Sequence, residues 1–169
     1  MVLKLHIAAP VKKLAEMLAQ SAAAQTLLGV SSSVEAATKL FYGFAEDEAH
    51  EESYSEHMTK PLPRMLLALA DFRSEKGTSS SWSTTVEIDV MIEALTLDAD
   101  KLKSTSDRYL AFLERVEGVA DDLREQASSG TKLNILNIGI LISPQQADTK
   151  KTRAIGEVFW AVFSVKAMG

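Results

Sequence analysis

The chain contains no cysteine. That absence excludes a disulfide scaffold, a thiol nucleophile, an iron–sulfur cluster and any thiolate-bound zinc. Positive charge is in deficit as well: 18 Lys and Arg face 23 Asp and Glu, for a formal charge of -5. A dedicated nucleic-acid clamp needs a basic face to neutralise phosphates, so this balance argues against one. Long apolar runs are missing. The stretch Ile135–Ile142 is broken by Asn137 and Gly139, and none approaches the roughly 20 apolar residues that a membrane-spanning helix needs. Met1–Ala9 carries one Lys and a short apolar stretch, without the long apolar region and cleavage site of a signal peptide.

Catalytic signatures are equally scarce. The glycines are isolated, and neither a phosphate loop nor a G-x-S-x-G elbow occurs. Only 3 histidines are available, His6, His50 and His57, each in a segment that reads as flexible. A Ser-His-Asp arrangement therefore has little support. Glu87 and Asp89 fall on one wet strand face, where a carboxylate pair is ordinarily a solvated surface. The residues call for no enzyme activity, no cofactor and no metal.

What remains is a chain of ordinary globular composition. Its 169 residues, 46% hydrophobic and 24% charged, suit a single domain spanning 1–169. An amphipathic helix begins at Pro10, a residue tolerated at a helix start. Val11, Leu14, Leu18 and Ala22 repeat at helical spacing, and Gly29 ends the run near Leu28. Ala22-Ala23-Ala24 either lets a neighbouring element cross closely or is simply a good helix-forming turn. Serines 31–33 signal a cap, and Val34–Tyr42 reads as a second helix, ended by Gly43.

Glu46–His57 holds six acids and no Lys or Arg, leaving the rest of the chain near neutral. It lacks hydrophobic periodicity and reads as a solvated acidic loop within 45–60. Its two histidines and its carboxylates fit neither an EF-hand nor H-E-x-x-H spacing.

Pro61 and Pro63 bracket a turn or an edge entry. Arg64–Phe72 reads as a strand, or else as a helix turn. Thr85–Glu93 alternates, with Val86, Ile88, Val90 and Ile92 facing one way and Thr85, Glu87, Asp89 and Glu93 the other. That pattern marks a strand with one wet face. Ser106–Ala127 carries the helical stripe Tyr109, Phe112, Leu113, Val116, Val119, Ala120 and Leu123, with Ser104 or Ser106 as N-cap. Lys132–Ser143 is a strand whose alternation slips at Ile135-Leu136, suggesting a bulge. Gly156–Ala167 is the last strand.

The expected fold class is thus α+β, an antiparallel four-stranded sheet packed against helices in the order α-α-β-β-α-β-β. Val86, Ile88, Val90, Ile92, Phe112, Leu113, Val116 and Leu123 should share one core. The last strand is apolar on both faces, with Val158, Trp160 and Val162 opposite Phe159, Ala161, Phe163 and Val165. It needs either a partner surface or helices on both sides of the sheet. Trp82, Phe159, Trp160 and Phe163 are accordingly assigned to a subunit interface or the core. The polar loops Arg73–Ser83 and Pro144–Ile155 connect strands, and the second carries Lys150, Lys151 and Arg153.

The helix ending at Leu28-Gly29 and the Ala-rich helix ending in an aromatic, within Ala22–Tyr42, resemble the start of small bacteriophage neck proteins. Pro61–Asp71, Trp82–Ala94 and Phe159–Val165 resemble the later strands of the same group, the tail terminator (tail completion, or head-tail joining) proteins. The resemblance covers most of the chain in element order. It implies a structural virion protein that is not an enzyme and forms a homo-oligomeric ring, most simply a hexamer. Such a ring caps the tail tube protein, ends tube polymerisation and joins the tail to the head connector protein, with assembly in the host cytoplasm and no membrane partner. DNA would pass through the lumen without sequence-specific binding, which a near-neutral to acidic wall permits because it does not hold phosphates. Lys150, Lys151 and Arg153 would then dock on the tail or line the lumen, or else be simply solvated. A head-completion or connector protein and a tail tube protein of the same virion are the alternatives. A small cytoplasmic enzyme is a more distant one.

Overall fold

The computed structural model describes residues 8–43, 62–77, 81–129, 133–141 and 158–168. Helix α1 (Ala8–Gln20) starts on Ala-Ala-Pro and buries Leu14, Met17 and Leu18. The single helix expected to reach Leu28 is divided at Ser21, where α2 (Ala22–Leu27) begins. Ser21 causes the break: its hydroxyl accepts the Ala24 N–H at 3.1 Å and caps the new helix. Gly29 then turns the chain at φ 66°. Ser32 caps the short helix α3 (Ser33–Ala37) by accepting the Glu35 N–H at 3.2 Å, while the Glu35 carboxylate accepts the Ser31 N–H.

The second helix expected over Val34–Tyr42 ends early. Its aromatic end forms strand β1 (Leu40–Tyr42), which pairs parallel with β2 (Arg64–Lys76), Leu40 opposite Met65. Leu-Phe-Tyr favours a pleated, half-buried surface over a helix whose last turn is already closed at Thr38. This strand corrects the expected sheet. Among the described residues it is five-stranded and mixed, in the order β1-β2-β3-β5-β4, and the element order is α-α-α-β-β-β-α-β-β. The broader α+β assignment holds.

Strands β2 and β3 (Trp82–Leu95) form a long antiparallel hairpin running from Arg64 opposite Glu93 to Lys76 opposite Trp82, with a bulge between Leu69 and Asp71. Within Arg73–Ser83, expected as a loop, Arg73–Lys76 and Trp82–Ser83 are therefore strand. The hairpin outruns its neighbour. Strand β5 (Val158–Met168) pairs with β3 only from Leu95 to Thr85, so Ser74–Lys76 and Trp82–Thr84 form a two-stranded arm among the described residues. Strand β4 (Asn134–Leu141) pairs antiparallel with β5 and is irregular between Ile135 and Asn137, where the sequence alternation slips.

A 3-10 turn (Asp98–Asp100) leads from β3 into α4 (Thr105–Ser128), capped by the Ser104 hydroxyl. The α4 stripe Phe112, Val116, Val119, Ala120 and Leu123 joins Val86, Ile88, Val90, Ile92, Phe163 and Val165 in one buried cluster. Leu14, Leu18 and Leu27 belong to the same cluster, with Leu113 packed on its margin. The shared core expected of the strand and helix stripes is present. Tyr109, at the head of the stripe, is exposed instead. Helix α2 crosses α4 at Ala23, where a Cβ built on Gly118 would lie 3.2 Å from the Ala23 methyl. The small residues at 22–24 do permit a close crossing. No helix among the described residues is long and apolar enough to span a membrane.

Candidate functional site

Two polar constellations stand out. The first joins β3 to α4. Asp100 is buried in the 3-10 turn, accepts from Arg115 at 2.5 Å and forms an ion pair with Lys103 at 2.8 Å. The Arg115 guanidinium first, and the Lys103 ammonium second, hold its carboxyl down at about 2. Thr96, Arg108, Phe112 and Phe159 stand beside it around a cavity of about 10 Å³, room for about one water. No substrate fits there. The cluster fastens the connection between sheet and helix.

The second lies on the sheet face turned away from the described helices. Because side chains alternate, residues paired across strands form rows on one face. At one end Leu66, Met91 and Val162 share a row, and Arg64, Glu93 and Trp160 the row beside it. Arg64 and Glu93 are both buried, and the Arg64 Nε donates to the Glu93 carboxylate. The Trp160 Nε1 is enclosed without a hydrogen-bond partner among the described residues.

Towards the arm the same face turns polar and open. Asp71, Arg73, Glu75, Ser83, Thr85, Glu87 and Lys166 surround a depression of about 230 Å³. Arg73 donates to Asp71 at 2.8 Å and Ser164 to Glu87 at 2.7 Å. The Arg73 hydrogen bond, followed by the Phe72 N–H, holds the Asp71 carboxyl below its ordinary value. Three carboxylates and two cations nearly balance there. Among the described residues no group of three or more His, Asp or Glu could hold a metal ion.

The sequence-selected aromatics disperse. Phe163 is fully buried in the core. Phe159 is half-buried and stacks on Phe112 at 5.2 Å. Trp160 is half-buried on the opposite face. Trp82 is 49% exposed on the arm and belongs to no core. Lys150, Lys151, Arg153, the acidic segment Glu46–His57 and all three histidines lie outside the described residues. The Arg64–Glu93 pair and the Asp100 cluster escape sequence reading, because each needs a register or a chain reversal to bring its members together. Hairpin register alone would have found the first, since Arg64 and Glu93 are Cα partners.

No family model matches the chain, and no curated protein does.

Proposed function

We propose that the protein is a structural subunit of a bacteriophage virion, one that forms a ring on the end of the tail tube, stops its polymerisation and meets the head connector. The observation that carries this reading is the open, polar arm end of the sheet's far face, beyond buried Leu66, Arg64 and Glu93. The sheet's other face is sealed by helices, while the far face opens toward the arm as a shallow surface of nearly balanced charge. Such a surface suits docking on another protein, where opposite charges fix register and orientation.

The arm supports the same reading. Two strands that outrun the sheet, tipped by an exposed tryptophan, can reach a neighbouring ring or subunit. Lys150, Lys151 and Arg153 would add cationic contacts to the tail or the lumen wall. DNA would pass without sequence readout, since a wall of balanced charge neither grips nor excludes the phosphates. The ring is hexameric in this proposal, as the resemblance to tail terminators implies.

Loss of the protein during infection tests the reading directly. The expected result is tails of uncontrolled length that fail to join heads. Infectious particles of normal tail length, formed without the protein, would contradict it. Deleting Ala147–Arg153 should leave the fold intact and weaken tail joining.

A further inference from the structure

The sheet has two backbone edges with no described neighbour, and they lie on opposite sides. On one side β1 covers β2 only at Met65–Leu67, so Ala68–Lys76 is open among the described residues. On the other side β4, 8 residues long, is the last described strand. Unpaired N–H and C=O groups along such edges are a template for another strand, and proteins usually guard them with charge, proline or brevity. Strand β4 has none of these guards. Its sequence, Asn134–Leu141, carries no charge and no proline, and Leu136 and Ile140 are 51% and 36% exposed.

The two edges suit each other. The β2 edge carries Asp71, Arg73, Glu75 and Lys76, two acids and two bases, with Asp71 and Arg73 already paired. An uncharged strand docks there without stranding a charge. Direction agrees as well. The β2–β3, β3–β5 and β5–β4 pairings are all antiparallel, so β4 runs opposite to β2. A second sheet placed alongside in the same orientation meets β4 with its own β2, and the antiparallel alternation continues unbroken. The heights match too, since pairing through β5 and β3 puts Gly139 level with Ala68 and Asn134 level with Arg73. Strand β1 blocks the positions before Ala68 and sets one limit on the register.

We infer that β4 of one copy adds as an antiparallel strand to the Ala68–Lys76 edge of β2 in the next copy, so that the sheet continues from subunit to subunit. The contact joins two different patches, and its repetition closes into a ring when the rotation allows. The inference rests on the ring reading above and supplies its contact.

Because the chain lacks cysteine, introduced thiols can be read without background. One full-length variant carries Asn137→Cys and another Ala70→Cys, both at exposed strand positions. Unchanged thermal melts establish that both variants fold. A short bis-maleimide added at high micromolar protein concentration should link the two chains when mixed and neither chain alone. A third variant, Leu136→Lys with Ile140→Lys, adds charge to exposed edge positions and should lose assembly while keeping the fold. A closed ring in native mass spectrometry without the mixed cross-link would overturn the edge contact and leave the ring reading standing. Cross-linking of Asn137→Cys to itself would also overturn it, by showing β4 against β4. A chain that stays monomeric would overturn both.

Discussion

The Asp100 carboxylate accepts from the Arg115 guanidinium at 2.5 Å, tying the turn after β3 to the third turn of α4. Arg115→Ala leaves a buried carboxylate with Lys103 as its remaining ion-pair partner among the described residues. The expected loss is about 2–3 kcal/mol, the range for a hydrogen bond to a charged, buried group. Denaturant unfolding at neutral pH measures it.

The same pair sets a pH dependence. Its carboxyl sits at about 2 in the folded chain, against an ordinary value of 3.8. A depressed folded value contributes stability that is complete above the unfolded value and is lost as pH falls toward the folded one. Between pH 5 and pH 2, roughly the span of that linkage, the native chain should lose more stability than Asp100→Asn. Parallel melting curves for the two chains would remove this assignment.

Phe112 is buried against the sheet, its ring stacked on Phe159 of β5 at 5.2 Å. Phe112→Ala should cost about 3–5 kcal/mol, from lost burial and the cavity left behind. A loss under about 1 kcal/mol would show that α4 is not packed on the sheet.

Gly118 and Ala23 give a sharper test of the helix crossing. Alanine in a helix interior is ordinarily better than glycine by about 1 kcal/mol. Here the new methyl would stand 3.2 Å from the Ala23 methyl, so Gly118→Ala should show none of that gain and Gly118→Val should destabilise. Ala23→Gly in the Gly118→Val background should restore part of the loss, which a double-mutant cycle reads as coupling.

Sequence pattern was most informative where one periodicity dominated. Thr85–Glu93 and the α4 stripe read correctly as a strand and a helix, Glu93 and Tyr109 apart, because alternation and helical spacing leave no competing element. The slip at Ile135-Leu136 marked the β4 irregularity for the same reason. Reading failed where local chemistry outweighed pattern. Ser21 interrupts a continuous apolar stripe by capping α2, and Leu40–Tyr42 leaves a helical run to pair with β2. Arg73–Lys76 looked like a loop because both faces of an arm beyond the core are polar. The far-face surface was half legible: Glu87 and Asp89 were placed on the wet face, but Glu93, in the same alternation, is buried against Arg64. That pairing depends on hairpin register, which alternation alone does not supply.

The mass of the assembled species tests the proposed role most directly. Native mass spectrometry of the purified full-length chain at high concentration should show one closed species of six copies of the 18.4 kDa chain, with no ladder of longer polymers. A strictly monomeric chain, both in solution and bound to tails, would contradict the ring.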